Sequence, residues 1–284
     1  MKNIFSLVIA GFLIALSPSM PAATVAYWKF DEIESDSSPA ALGESDMNLV
    51  RRGSGEVTAS GEVAADPVPA PDKTSGFKGS PQKNSGSALI APASDSSNSY
   101  METASSEPLK LNGTQWTFEG WLRPAGNTMP VDFGQIIFST RDHPQLGGVT
   151  LKLDPPAKPG AALSLGFLVT MNRDATDNLA IYAKSKPLIR MGEWHHFAVT
   201  WDDKRGKGNP PKARIYIDGT EAGEAEAAPE FSTTAADDSS NRNIRIGGRR
   251  VGSDNTFDGN LDEFRISDQI LPPEKLLPGA KEKP

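Results

Sequence analysis

Two neighbouring segments with strand-like patterns strongly constrain how this chain can fold. Residues 193–202 (EWHHFAVTWD) and 213–219 (ARIYIDG) are rich in aromatic and β-branched residues, which favour extended strands. The second segment ends in Asp218-Gly219, a dipeptide typical of the tight turn of a β-hairpin. The two segments therefore predict an antiparallel sheet.

Further short strand-like segments lie along the chain, separated by turn-forming Gly, Pro, Asp and Asn. They span residues 25–30, 100–103, 116–123, 135–140, 149–153, 163–171, 179–183, 243–247 and 260–266. No segment has a long amphipathic helix pattern, and only residues 273–277 suggest a helical turn. Many short strands without intervening helices predict an all-β protein with an antiparallel β-sandwich or jelly-roll fold.

The N-terminal residues have the features of a secretory signal peptide. Lys2 precedes an apolar run over residues 4–16, which only Ser6 interrupts, and small residues follow near position 23. The run is too short to span a membrane comfortably, although an uncleaved anchor is the alternative. We therefore predict a signal peptide over residues 1–23 and a secreted, periplasmic or cell-surface location.

The rest of the chain is predicted to form one domain over residues 24–272. Within it, residues 31–98 are rich in Ser, Ala, Gly and Pro and are predicted to be a long loop-rich insert, and residues 273–284 a short charged tail. The chain has no cysteine, so a large core must stabilise it without disulfides. A formal net charge of −7 without a basic cluster argues against a nucleic-acid partner.

Six motifs follow one another along the chain. They are residues 27–32 (YWKFDE), 116–124 (WTFEGWLRP), 192–201 (GEWHHFAVTW), 215–219 (IYIDG), 244–247 (IRIG) and 257–266 (FDGNLDEFRI). Together, and in this order, they resemble the laminin-G-like jelly-roll domains of the concanavalin A-like lectin/glucanase superfamily. The resemblance implies two curved antiparallel sheets packed face to face, and it says little about the ligand.

The resemblance also implies a structural calcium ion. Members of this superfamily often bind calcium through an aspartate of the last strand and residues near the first strand, which implies Asp262 and Asp31 as ligands here. Strand alternation places Asp262 on the same face as Phe264 and Ile266, where a carboxylate is costly unless it is paired or binds a metal. The alternative is that Asp262 caps a turn or pairs with an arginine.

Aromatic residues on the strands suggest where a ligand binds. Alternation places Glu119, Trp121 and Arg123 on one strand face, and His196 shares another face with Trp194. Because sugars stack on aromatic rings beside polar groups, Glu119, Trp121, Arg123 and His196 are candidate ligand contacts. The alternative is that the tryptophans form the core, which is the usual fate of strand aromatics.

The histidines do not suggest a zinc site. His195 and His196 are adjacent and point to opposite faces of a strand, and the third histidine, His143, lies in a predicted loop. Hydrogen bonding of these histidines within the sandwich is the expected arrangement.

Catalytic motifs are not found in the sequence. No strand carries closely spaced paired carboxylates, and Glu221, Glu224 and Glu226 follow the hairpin turn as a predicted solvated edge. We therefore predict a secreted, non-catalytic module that binds carbohydrate or another extracellular polymer. The alternatives are a structural or adhesive module that binds an extracellular protein, and a glycoside hydrolase with atypical acids. Ligand identity and oligomeric state are not encoded in any motif.

Overall fold

Eighteen strands and one short 3-10 helix make up the described part of the computed structural model. It describes residues 24–31, 33, 37–38, 47–53, 56–64, 68–71, 78–82, 84–91, 99–103, 114–125, 134–141, 147–170, 180–203, 210–227, 243–249 and 255–277. The elements are β1 (Thr24–Trp28), β2 (Ser37–Ser38), β3 (Leu49–Gly53), β4 (Glu56–Ser60), β5 (Val68–Pro71), β6 (Lys78–Gln82), β7 (Ser87–Ala91), β8 (Ser99–Thr103), β9 (Gln115–Pro124), β10 (Gln135–Ser139), β11 (Gly148–Asp154), β12 (Ser164–Thr170), β13 (Ala180–Lys184), β14 (His195–Asp202), β15 (Lys212–Ile217), β16 (Thr220–Glu226), β17 (Arg245–Ile246), β18 (Gly259–Ser267) and the 3-10 helix Pro273–Lys275.

Two eight-stranded antiparallel sheets form the predicted sandwich. Sheet A has the order β16-β15-β14-β9-β18-β7-β4, with β1 paired to β18, and sheet B has the order β13-β12-β11-β10-β17-β8-β3-β2. Strands β5 and β6 pair separately as a two-stranded ribbon. The predicted all-β antiparallel sandwich is therefore confirmed.

Alternating side chains build the core between the two sheets. On β14, Phe197, Val199 and Trp201 are fully buried in one continuous apolar cluster, because alternate residues of a strand point to the same face. Phe264 of β18 packs against several aromatic rings, with centroids 5.7 Å from Phe138 and 5.8 Å from Phe197. These contacts join the two sheets at their centres.

The predicted hairpin turn connects β15 to β16. Asp218 and Gly219 both have positive φ angles, 49° and 75°, which is the backbone that a tight two-residue hairpin turn needs. Glycine adopts this conformation without steric cost, and aspartate tolerates it better than most residues.

The region 31–98 differs from the prediction of a loop-rich insert. Strands β2 to β7 lie within it, and four of them extend the two sheets: β2 and β3 join sheet B, while β4 and β7 join sheet A. These strands have two to five residues each, and β4 is largely exposed. Short strands near the ends of a sheet are stabilised mainly by pairing with their neighbours. Their own sequences therefore need little alternation of apolar and polar residues.

The end of the chain also differs from the predicted charged tail. Residues 268–277, here called the strap, cross the outer face of sheet A, and Leu271 and Leu276 pack with Ala198 of β14 in a second, smaller apolar cluster. Residues 1–23 and 278–284 lie outside the described residues, so the predicted signal peptide and the last part of the tail do too. Within the described ranges, no helix is long and apolar enough to cross a membrane.

Candidate ligand-binding site

The strap covers the part of the outer face of sheet A that β9, β14 and β18 form. Thr117 of β9 donates a hydrogen bond through its hydroxyl to the carbonyl of Gln269 (2.7 Å) and accepts one from the backbone N–H of Leu271 (2.9 Å). Further along, Arg265 of β18 donates to the carbonyl of Lys275 (3.0 Å). The strap thereby supplies hydrogen-bond partners to the Thr117 hydroxyl and the Arg265 guanidinium.

Glu119 lies beneath the strap and anchors it. Its carboxylate accepts hydrogen bonds from the Nε of Arg265 (2.6 Å) and the backbone N–H of Leu277 (2.6 Å), and it lies 3.2 Å from the Nε2 of His196. Burial alone would raise the pKa of Glu119, but the Arg265 guanidinium and His196 hold it below its ordinary value. Glu119 is therefore a buried carboxylate that joins β9 to β14, β18 and the strap.

The other three predicted ligand contacts share this face. Trp121 and His196 are 1% and 0% exposed, with ring centroids 5.4 Å apart in an edge-on arrangement. Arg123 is partly exposed, pairs with Glu62 and donates to the carbonyl of Gly192 (3.0 Å). Sequence alternation thus grouped Glu119, Trp121 and Arg123 on the correct face, but Glu119, Trp121 and His196 offer no surface to a ligand in this structure.

Asp262 lies on the same outer face, opposite Trp121, and is fully buried. The prediction that it shares a face with Phe264 and Ile266 was wrong, because the bulge at Glu263 adds a residue between them and reverses the alternation of β18. Its Oδ2 accepts hydrogen bonds from the backbone N–H of Ala64 (3.0 Å) and the amide of Asn84 (2.8 Å), whereas its Oδ1 has no hydrogen-bond partner among the described residues. Burial, and to a lesser degree the negative charge of Asp31, raises the pKa of Asp262 to about 7. A carboxylate in this position is costly to ionise without a compensating cation.

Asp31 lies within electrostatic range of Asp262, but its oxygens already have partners. Its Oδ1 accepts hydrogen bonds from the backbone N–H groups of Ser85 (2.6 Å) and Gly86 (3.0 Å), and its Oδ2 pairs with Lys29. Burial would raise the pKa of Asp31, but Lys29 and Ser85 lower it below its ordinary value. No group of three or more His, Cys, Asp or Glu side chains within the described ranges could hold a metal ion.

The bulge in β18 buries a second acidic side chain next to Asp262. Glu263 has a positive φ of 52° at the register shift between β18 and β9, and it is 0% exposed. Burial raises the pKa of Glu263 to about 8, so the side chain is largely neutral at neutral pH. As a neutral acid, it avoids most of the cost of a buried unpaired charge.

The outer face of sheet B offers a more accessible set of side chains. Lys152, Gly166 and Lys184 are direct neighbours on β11, β12 and β13. Because Gly166 has no side chain, the phenol end of Tyr182 lies over it, and a Cβ atom at position 166 would collide with the Tyr182 ring. A glycine between two lysines thus creates the space in which a tyrosine lies against the sheet.

Asp154 holds these side chains in place. It accepts a hydrogen bond from the Tyr182 hydroxyl, and its oxygens lie 3.1 Å from the ammonium of Lys152 and 3.2 Å from that of Lys184. The Lys152 ammonium also lies 5.3 Å from the Tyr182 ring centroid, within range of a cation–π interaction. Burial and Asp154 raise the pKa of Tyr182 above its ordinary value, so the phenol remains protonated.

We call Lys152, Asp154, Gly166, Tyr182 and Lys184 the platform. Tyr182 is 40% exposed and, with Leu188, is one of the two exposed large hydrophobic residues in the described part of the chain. An accessible aromatic ring beside fixed ammonium groups can stack against a sugar ring and donate hydrogen bonds to its oxygens. Sequence analysis did not select Tyr182. Its neighbours Ile181 and Ala183 are apolar and are buried in the structure, and this alternation would have indicated that Tyr182 points outward.

The described carboxylates of sheet B are not placed for glycoside hydrolysis. Glu102 and Asp154 are the acidic residues of its strands, and three strand spacings separate β8 from β11, about 14 Å. Across the sheet, Glu102 pairs with Arg245, Arg245 with Ser139, and Ser139 with Thr150 of β11. Asp154 lies four residues after Thr150, about 13 Å along β11. The resulting separation far exceeds the roughly 5 to 10 Å of a catalytic pair.

The two antiparallel sheets, with an aromatic core and an outward polar platform, define a β-sandwich of the jelly-roll class. A family model for the concanavalin A-like lectin/glucanases superfamily, of the laminin G type, matches residues 95–276. The chain belongs to this superfamily, as its sequence motifs predicted.

Two solved structures of toxin binding domains share the fold at low sequence identity. The binding domain of botulinum neurotoxin serotype D and a second structure of the neurotoxin D receptor binding domain are 8% and 9% identical, each with a TM-score of 0.52. Each match covers 89% of this chain but only about half of the length of the toxin chain, 49% and 50%. The CBM40 of the Ruminococcus gnavus IT-sialidase, bound to α2,3-sialyllactose, is 15% identical over 57% of this chain and 80% of that chain, with a TM-score of 0.41. A comparison with curated proteins gave no match.

Proposed function

We propose that this protein is a non-catalytic carbohydrate-binding module that acts outside the cell, and that a glycan binds at the platform on sheet B. The observation that carries the proposal is the Tyr182 ring, which is exposed on a polar sheet face and fixed there by Asp154 and Lys152. An aromatic ring held in one orientation loses little conformational entropy when a sugar stacks on it.

The surroundings of Tyr182 favour a sugar over a protein partner. A protein interface usually buries an apolar patch of several hundred square ångströms, whereas exposed large hydrophobic side chains in the described ranges are limited to Tyr182 and Leu188. The toxin domains that share the fold are binding domains, but at 8% and 9% identity the likeness to this chain extends to the fold alone. The separation of Glu102 and Asp154 supports binding without hydrolysis.

A glycan array with the protein and three variants tests the proposal. Tyr182→Ala should weaken binding about tenfold or more through loss of the stacking surface, and Tyr182→Phe should retain most of it. Leu188→Ala is the matched control, because it removes the other exposed large side chain, 43% exposed, outside the platform. Thermal unfolding of each variant verifies that the fold is retained. A blank array across plant, algal and bacterial glycans, or equal binding by Tyr182→Ala, would refute the proposal.

We also propose that Asp262 binds a structural calcium ion. Its buried Oδ1, without a hydrogen-bond partner in the described part of the chain, is a suitable hard donor, and backbone carbonyl oxygens would supply further ligands. Asp31 is engaged by protein donors, so its contribution would be electrostatic: a cation between the two acids would relieve their repulsion. The ion would stabilise the junction of β18 with the segments that contain Ala64 and Asn84.

A further inference from the structure

The outward charges of sheet B are predominantly positive, although the chain as a whole is acidic. In the described strands, the charged side chains that point away from the core are four cations and two carboxylates: Arg52, Lys152, Lys184, Arg245, Glu102 and Asp154. This face therefore has an excess of two positive charges in a chain with a formal net charge of −7.

Two further arginines border the same face. Arg141 follows β10 and Arg249 follows β17, and the Nη1 of Arg245 donates to the carbonyl of Arg141 (3.3 Å). Burial, with a smaller effect of the charge of Arg249, lowers the pKa of Arg141 to about 10. Both remain charged at neutral pH and add to the positive potential over sheet B.

The acidic charge of the sandwich lies partly on the other sheet. Strand β16 at the edge of sheet A carries Glu221, Glu224 and Glu226, and Lys212 and Arg214 of β15 pair with two of them. Charge is thus separated between the two sheets, and an anionic polymer would be attracted to sheet B and repelled from the β16 edge.

The platform places one accessible cation, Lys184, and a largely buried one, Lys152, beside the exposed aromatic ring. The side chain of Lys184 is 51% exposed, and its ammonium lies 3.2 Å from the same Asp154 carboxylate that accepts the Tyr182 hydroxyl hydrogen bond. With Lys152, two ammonium groups contact one carboxylate, so these three side chains together carry one positive charge beside the position of a stacked sugar. A carboxylate or sulfate on that sugar can replace part of the Asp154 pairing with little desolvation of Lys184.

We propose that the preferred ligands of the platform are anionic polysaccharides, whose sugar rings stack on Tyr182 while their carboxylate or sulfate groups pair with Lys184 and Lys152. This inference rests on the proposed carbohydrate binding at Tyr182 and specifies the chemical class of the sugar.

The test compares polysaccharides that differ only in charge, in affinity electrophoresis of the full chain. One pair is de-esterified against methyl-esterified homogalacturonan, which tests carboxylates, and the other is dextran sulfate against dextran, which tests sulfates. The charged member of at least one pair should bind more tightly, and binding should fall as salt rises from about 0.05 to about 0.5 M. The pair that responds identifies which acid group is recognised.

Two variants distinguish recognition at the platform from general electrostatic attraction. Lys184→Gln should weaken binding of the charged polymer about fivefold, whereas Lys212→Gln, with the same loss of charge on sheet A, should leave it unchanged. Equal weakening by both variants would overturn the inference. Tight binding of neutral glycans that depends on Tyr182 but not on Lys184 would overturn the anionic preference and leave the proposed function standing. No binding to any glycan would overturn both.

Discussion

Replacing Glu119 by glutamine tests whether a buried charge holds the strap against sheet A. Glutamine has almost the same size, so the change removes charge and one acceptor without leaving a cavity. Arg265 would remain buried, 0% exposed, without the anion that its Nε now contacts at 2.6 Å. Breaking a buried ion pair by removing one partner typically costs about 3 to 5 kcal/mol of unfolding free energy.

For a domain of this size, a loss of about 3 kcal/mol corresponds to a fall in melting temperature of about 6 to 12 °C. Urea unfolding followed by tryptophan fluorescence measures the free energy, and amide hydrogen exchange measures the local effect. Exchange at Leu271 and Leu277 should accelerate more than at β14, because Leu277 donates directly to Glu119 and Leu271 lies in the same strap.

The matched control is Glu226→Gln, which removes an ion pair with Lys212 whose glutamate is 52% exposed. We expect no resolvable change in its unfolding midpoint, because exposed ion pairs contribute little. If Glu119→Gln unfolds at the same urea concentration as the unaltered protein, the strap is not anchored by this charge and the reasoning fails.

The pH dependence of the Glu119 effect has a definite sign. The folded pKa of Glu119 lies below its ordinary value of 4.5, so folding favours the ionised carboxylate. The stabilisation is therefore fully present above the unfolded pKa and is lost as the pH falls through the folded pKa. The difference in stability between the protein and Glu119→Gln should be constant near neutral pH and shrink in acid. A difference that grows in acid would contradict this assignment.

Three further predictions concern other parts of the molecule. Chelation of calcium should lower the melting temperature by several degrees, and Asp262→Ala should remove this response; an unchanged midpoint in both experiments would exclude a structural ion at Asp262. Gly166→Ala should displace the Tyr182 ring and weaken glycan binding more than it lowers the melting temperature, and unchanged affinity would show that ring position is unimportant. Phe264→Ala should cost about 3 to 5 kcal/mol in chemical unfolding, since its ring lies 6.0 Å from that of Trp28 in the core; a loss below about 1 kcal/mol would contradict this packing.

The fold was predictable because strand alternation is a local property of the sequence. The aromatic and β-branched residues of 193–202 and 213–219 became paired strands, with Val199 opposite Ile215, and Asp218-Gly219 became the turn to β16. The short strands β2 to β7 were not predicted, because pairing with distant partners, such as β3 with β8, stabilises them in place of an internal pattern.

The candidate site was less predictable because alternation assigns a side chain to a face without showing what covers that face. Alternation placed Glu119 and Trp121 together on one strand face, but it did not show that the strap and its neighbours bury that face through contacts such as that between Glu119 and Leu277, 158 residues apart in sequence. Tyr182 gave no comparable signal, because its exposure depends on Gly166 and Asp154 of neighbouring strands.

The longer strands, the central turn and the superfamily follow from the amino-acid sequence, because hydrophobic period and turn chemistry act between residues close along the chain. Which outward faces are open depends on tertiary contacts. Sheet A is covered by the strap over β9, β14 and β18 and stabilised by a buried ion pair, whereas part of sheet B exposes an aromatic ring among cations. Accessibility and electrostatic potential are sums over residues that only folding brings together.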